Sequence, residues 1–93
     1  MAKIITYDLR KPETSQDYTR LIAEIQNYPR WCKITESCWV INTPETCVQV
    51  RDYLKQFMDS NDRIYVGVLE NNAAWSNVIC NHDYLKTSLS QPG

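Results

Sequence analysis

Glycine and histidine are nearly absent from this 93-residue chain, which has two of the first and one of the second. With glycine only at positions 67 and 93, no Gly-rich loop can cradle a phosphate. That excludes the Walker and dinucleotide-binding fingerprints. The lone His82 stands in a polar segment near the end, so no Ser-His-Asp or Cys-His arrangement can be argued. The cysteines, Cys32, Cys38, Cys47 and Cys80, contain no C-x-x-C pair, a poor pattern for zinc. No apolar run approaches about 20 residues, so no membrane span and no membrane partner are expected. Met1 to Asp8 lacks the apolar stretch and small-residue cleavage site of a signal peptide. Basic excess is missing too. Ten Lys and Arg against eleven Asp and Glu give a net charge of −1. Non-specific nucleic-acid binders are usually basic, because their affinity comes largely from releasing phosphate counterions.

What is present suits one small globular domain. Hydrophobic residues make up 43% and aromatics 11%, too many for a chain that stays unfolded. A domain of this length buries only about 60–65% of its unfolded surface, so a partner subunit would help. Without a secretory signal, the four cysteines are expected to be reduced and partly buried, in a cytoplasmic protein.

The chain alternates strand and helix patterns. Lys3 to Leu9 reads as a strand, with Ile5, Tyr7 and Leu9 on one face and Ile4, Thr6 and Asp8 on the other. Thr14 or Ser15 can cap a helix whose stripe is Tyr18, Leu21, Ile22 and Ile25, and Pro29 stops it near Tyr28. Trp31–Thr35 and Cys38–Asn42 form a hairpin around Glu36-Ser37. Thr43-Pro44-Glu45 signals a second helix start, followed by a stripe of Cys47, Val50, Leu54, Phe57 and Met58. Arg63 to Glu70 is apolar on both faces, as a central strand would be. Ala73 to Cys80 suggests a fifth strand. The polar residues 81–93 read as a loose C-terminal tail after a single domain over 1–80.

The expected fold is therefore α+β. It is a ferredoxin-like βαββαβ order with an extra C-terminal strand, two helices covering one face of an antiparallel sheet. The opposite face would expose aromatics, Tyr65 and Trp39 among them, and such a surface calls for a second subunit or a ligand.

Three segments carry a resemblance: Ile4-Ile5-Thr6-Tyr7-Asp8-Leu9, Thr35-Glu36-Ser37-Cys38-Trp39-Val40-Ile41 and Asn61-Asp62-Arg63-Ile64-Tyr65-Val66-Gly67-Val68. Together they resemble the small ferredoxin-fold family of CRISPR-associated endoribonuclease-like proteins, the second of the two core adaptation proteins. The likeness is closest to its stand-alone members and covers roughly residues 3–70. The resemblance implies a homodimer whose sheets pack face to face, with the C-terminal strand adding to the partner's sheet. It also implies that Asp8 lies near the dimer axis, where two carboxylates would hold Mg²⁺ or Mn²⁺. The metal would serve phosphodiester hydrolysis. Tyr7, Arg10 and Ser37 would line the substrate site, Ser37 as the family's hairpin serine. The loop after the first strand, Arg10 to Gln16, holds only two basic residues, where nucleic-acid-handling members usually carry a basic cluster. RNA, or single-stranded DNA, is then the expected substrate rather than a duplex.

A different class competes with this endoribonuclease. The same dimer can be a non-catalytic binding module for a nucleotide, a nucleic acid or a protein. The sheet tryptophans can stack bases or fill a subunit interface. Asp8 can equally be a strand-end residue that caps a turn.

Overall fold

A computed structural model describes residues 1–11, 18–70 and 72–90. Among these residues are four strands and three helices: β1 Ala2–Asp8, α1 Thr19–Ile25, β2 Cys32–Thr35, β3 Cys38–Asn42, α2 Cys47–Lys55, β4 Arg63–Val68 and α3 His82–Ser90. The strands form one sheet in the order β2-β3-β1-β4. Every neighbouring pair is antiparallel.

The alternation in β1 sorts the molecule into layers. Ile5 and Tyr7 join Trp39 and Ile41 of β3 on one face. There they bury Tyr18, Leu21 and Ile25 at α1 with Val50 and Leu54 of α2. The i, i+3, i+7 spacing around α1 thus meets the sheet as its stripe requires. Thr14 and Ser15, expected to cap this helix, lie outside the described residues.

Helix α2 begins later than Thr43-Pro44-Glu45 suggested. Its N-cap is Thr46, whose hydroxyl accepts from the Gln49 N–H at 3.1 Å. The Gln49 amide accepts from the Thr46 N–H at 2.8 Å, completing a capping box. Thr43 instead stays buried and accepts from the Glu45 N–H at 3.3 Å, holding the approach to the helix.

The C-terminal third corrects the expected fold. Ala73 to Cys80 is not a strand, and β4 is not central but the sheet's outer strand. Trp75 and Val78 of this segment pack on the cluster around Ala2, Cys32 and Val40, and its end bonds the sheet. Ile79 and Cys80 donate backbone bonds to Ile34 and Lys33 at 3.0 and 2.9 Å, covering the β2 edge. The loose tail is a helix over 82–90. Asn81 starts it, accepting from the Tyr84 N–H at 3.1 Å, and Asp83 stands in the first turn, where its charge suits the helix dipole. Leu85 and Leu89, one turn apart, bury against Ala2, Cys32 and Val40. Asn42 anchors the helix by donating to the Ser88 carbonyl at 2.8 Å. Helix α3 therefore occupies part of the face expected to stay open.

Two further expectations change with it. Cys32 and Cys80 form a disulfide, where reduced thiols were expected, and the bridge ties β2 to the start of α3. Cys38 and Cys47 are free. Trp39 is 1% exposed and lies on the helix-covered face, not on the open one. Its register partner is Ile5, whereas Tyr65 is opposite Thr6. Tyr65 does remain exposed, at 63%.

Candidate functional site

The residues singled out around Asp8 divide between two faces of β1. The Asp8 side chain ends the strand in solvent and accepts from the Arg63 guanidinium at 3.2 Å. Both side chains are mostly exposed, so the pair contributes little stability. Arg10 and Asn61 join them around a shallow cavity of about 350 Å³. Tyr7 points the other way. It is buried, and its hydroxyl accepts from the Trp39 indole N–H at 2.8 Å. Ser37 sits in the β2–β3 turn, where its carbonyl accepts the Tyr7 N–H at 3.1 Å. Asp8, Arg10 and Arg63 thus share a rim, while Tyr7 belongs to the core.

The Asp8 rim does not fit a divalent cation within one chain. Mg²⁺ wants several hard oxygen ligands. Here one carboxylate faces guanidinium groups, and no cluster of three His, Cys, Asp or Glu suited to a metal occurs among the described residues.

Asp62, which the sequence reading gave no role, organises this end of the molecule. Its carboxylate accepts from the Arg10 and Asp59 backbone N–H groups, both at 2.8 Å, and from the Tyr18 hydroxyl at 3.1 Å. Burial pushes the carboxyl up, but these three donors outweigh it and hold Asp62 below the usual range. Burial in turn raises the Tyr18 hydroxyl. The end of β1 is thereby pinned to the α2–β4 turn.

A larger concavity, of about 800 Å³, lies between the end of α1 and the start of α2. Tyr28, Tyr53, Pro29 and Pro44 give it flat walls, and Glu24, Asn27, Glu45 and Gln49 supply polar groups. No lysine or arginine among the described residues lines it. Glu24 is 8% exposed and accepts from the Tyr53 hydroxyl, Arg20 and Asn27. The Tyr53 bond, then the Arg20 bond, hold its carboxyl low despite burial. The same bond to Glu24 raises Tyr53, with burial adding to it. Tyr28 is pushed up to about 12, first by burial and then by the nearby Glu45 charge. Below the groove, the buried Lys3 ammonium donates to the Thr43 carbonyl at 2.8 Å. Glu24 is thus a structural carboxylate, already neutralised by Arg20. Glu45 is exposed and stands at the groove's mouth.

No protein-family model matches the chain, and no solved structure matches it. The site is therefore judged on its own chemistry. A groove of this size with a few convergent polar groups and shifted hydroxyls has the form of a ligand site. No periodicity could announce it, because its walls come from two segments joined only by the fold. The one sequence signal was Pro29 and Pro44, which stop α1 and delay α2 and so leave a gap between them.

Of the tryptophans read as able to stack bases or fill a subunit interface, two are engaged within the chain. Trp39 is in the core. Trp75 packs on the cluster that Leu85 and Leu89 form with Ala2, Cys32 and Val40, and donates to the His82 ring at 3.0 Å. Trp31 is 38% exposed, with its ring 5.7 Å from that of Trp39.

Proposed function

We propose that this chain is a non-catalytic binding module, and that the groove between α1 and α2 takes a cationic side chain from a protein partner. The observation that carries this reading is the lining: two tyrosines, two prolines and an exposed Glu45, with no basic residue among those described. Tyrosine faces and a carboxylate together attract an ammonium or guanidinium group. The same Glu45 charge repels phosphate, which counts against a nucleotide or nucleic acid in the groove.

N-acetyl-arginine methylamide is a suitable probe. It should bind the wild type, and Glu45→Gln should weaken it about tenfold, roughly the worth of one charge-assisted hydrogen bond of about 1.5 kcal/mol. Calorimetric titration measures this. Equal affinity in the variant, or equal binding of N-acetyl-aspartate methylamide, would reject the assignment.

The interleaved chain path supports the ferredoxin-like reading of the fold. In β1-α1-β2 the two strands flank β3, and in β3-α2-β4 they flank β1. That reading keeps open a second function, the Mg²⁺- or Mn²⁺-dependent endoribonuclease with paired Asp8 carboxylates, favoured by Arg10 and Arg63 beside Asp8 as phosphate ligands. It needs a partner's carboxylate that one chain does not supply. With either metal, wild type and Asp8→Asn should both leave single-stranded RNA and DNA intact. Metal-dependent cleavage lost in the variant would replace the binding reading with the nuclease.

Location follows the same logic. No helix among the described residues is long and apolar enough to cross a membrane. Against the cytoplasmic expectation, the Cys32–Cys80 bridge supports an oxidising compartment.

A further inference from the structure

The sheet treats its two edges differently. At β2 the outer backbone is covered by Ile79 and Cys80, and the disulfide fastens that cover. At β4 nothing among the described residues bonds the outer side. The strand also lacks the usual safeguards of an exposed edge. It has no proline and no bulge, and its only charge is Arg63 at the start.

The bonding phase of β4 follows from one contact. Leu69 donates to the Ala2 carbonyl at 2.9 Å, continuing the β1–β4 register. In an antiparallel ladder the bonding residues alternate. Arg63, Tyr65 and Gly67 therefore bond inward to β1, and Ile64, Val66 and Val68 present their N–H and C=O groups outward.

We propose that this edge pairs with a second copy of the chain, β4 against β4, about a two-fold axis at Val66. A two-fold axis normal to the sheet keeps each face continuous, so paired residues must share a face. Centring on Val66 uses every outward group of the strand. Ile64 pairs with Val68 of the partner subunit, Val66 with Val66 of the partner subunit, and Val68 with Ile64 of the partner subunit. These are β-branched cross-strand pairs, a favourable class. On the other face Tyr65 comes opposite Gly67 of the partner subunit. Gly67 suits that position. A Cβ there would already lie 2.8 Å from a Tyr65 ring carbon of its own strand. The interface is isologous, so it closes at two copies. Its one charged residue stands at the end of the strand, away from the axis.

This dimer differs from the one that the resemblance implies. It needs neither a free sheet face, which α3 partly fills, nor an added C-terminal strand. Strand spacing and rise place its two Asp8 carboxylates roughly 25 Å apart, too far to share an ion. It is independent of the ligand groove, which lies elsewhere on the chain.

Sedimentation equilibrium of the full chain at about 100 µM tests the proposal. The wild type should have twice the 10.9 kDa chain mass. Val68→Lys, at a residue 54% exposed, should shift the chain to monomer with an unchanged circular dichroism spectrum. A second variant reads the register directly. In a background with Cys38 and Cys47 replaced by serine, Val66→Cys should cross-link two copies on oxidation, since directly bonded antiparallel residues stand about 5.5 Å apart. Tyr65→Cys, with no like residue opposite, should not. A monomeric wild type would overturn the proposal. So would a Val68→Lys dimer as tight as the wild type, or cross-linking at position 65 but not at 66.

Discussion

Trp39→Ala is expected to remove a large share of the protein's stability. Trp39 is the largest of the fully buried side chains, and on β3 it joins the core shared by β1 and the two helices. Truncating such a residue costs about 3–5 kcal/mol through lost transfer energy and the cavity left behind. The indole bond to Tyr7 goes with it. A domain of this length has only about 5–15 kcal/mol in total. The thermal midpoint should fall by about 15–30 °C, read by circular dichroism, since each kcal/mol moves a small domain by several degrees. A shift of only a few degrees would mean that the helices do not close over Trp39.

Cys80→Ser is expected to loosen a defined part of the molecule. The Cys32–Cys80 bridge spans 48 residues of sequence. Closing a loop of that length stabilises a fold by about 2–4 kcal/mol, chiefly by constraining the unfolded chain. Locally, the bridge holds the start of α3 against β2. The variant, or the wild type in reductant, should lose thermal stability. Amide exchange should accelerate first in α3, at Leu85 and Leu89, while Ile5 and Ile41 in the central strands stay protected. Equal stability of reduced and oxidised protein would show that the packing of Leu85 and Leu89 holds α3 without the bridge.

Those two residues also show how far the sequence could be read. The order from β1 to β4 was legible because strand and helix periods differ, and the apolar spacings in 2–8, 18–25 and 47–55 kept to theirs. What escaped was set by pairing between distant segments. Ile64 to Leu69 is a continuous apolar run, which resembles a central strand. Yet β4 is at the edge, with Ile64 and Val66 packed on the core and Tyr65 in solvent. Trp39 was placed with Tyr65, but which face a strand residue takes depends on register, and a one-residue shift reverses it. Helix α3 did leave a signal. Asn81 followed by Asp83 is a helix start, but only two leucines mark the buried side of a polar segment.

The candidate site was less legible still. Asp8 and Arg10 lie at one end of the sheet beside Arg63, which the sequence did not single out, but Tyr7 and Asp8 are neighbours in sequence and on opposite faces in space. The groove draws Glu24 and Tyr28 from the end of α1, and Glu45 and Tyr53 from the start and far turn of α2. Only the packing of both helices on one sheet face brings them together.

The central claim is that the groove, and not the Asp8 rim, receives the ligand. Backbone amide shifts of the ¹⁵N-labelled chain, titrated separately with N-acetyl-arginine methylamide and inorganic phosphate, test it most directly. The arginine probe should move Asn27, Tyr28, Glu45, Gln49 and Tyr53, and phosphate should leave the groove unmoved. Phosphate shifts concentrated at Asp8, Arg10, Asn61 and Arg63, with none in the groove from arginine, would contradict the account and return the function to the Asp8 rim.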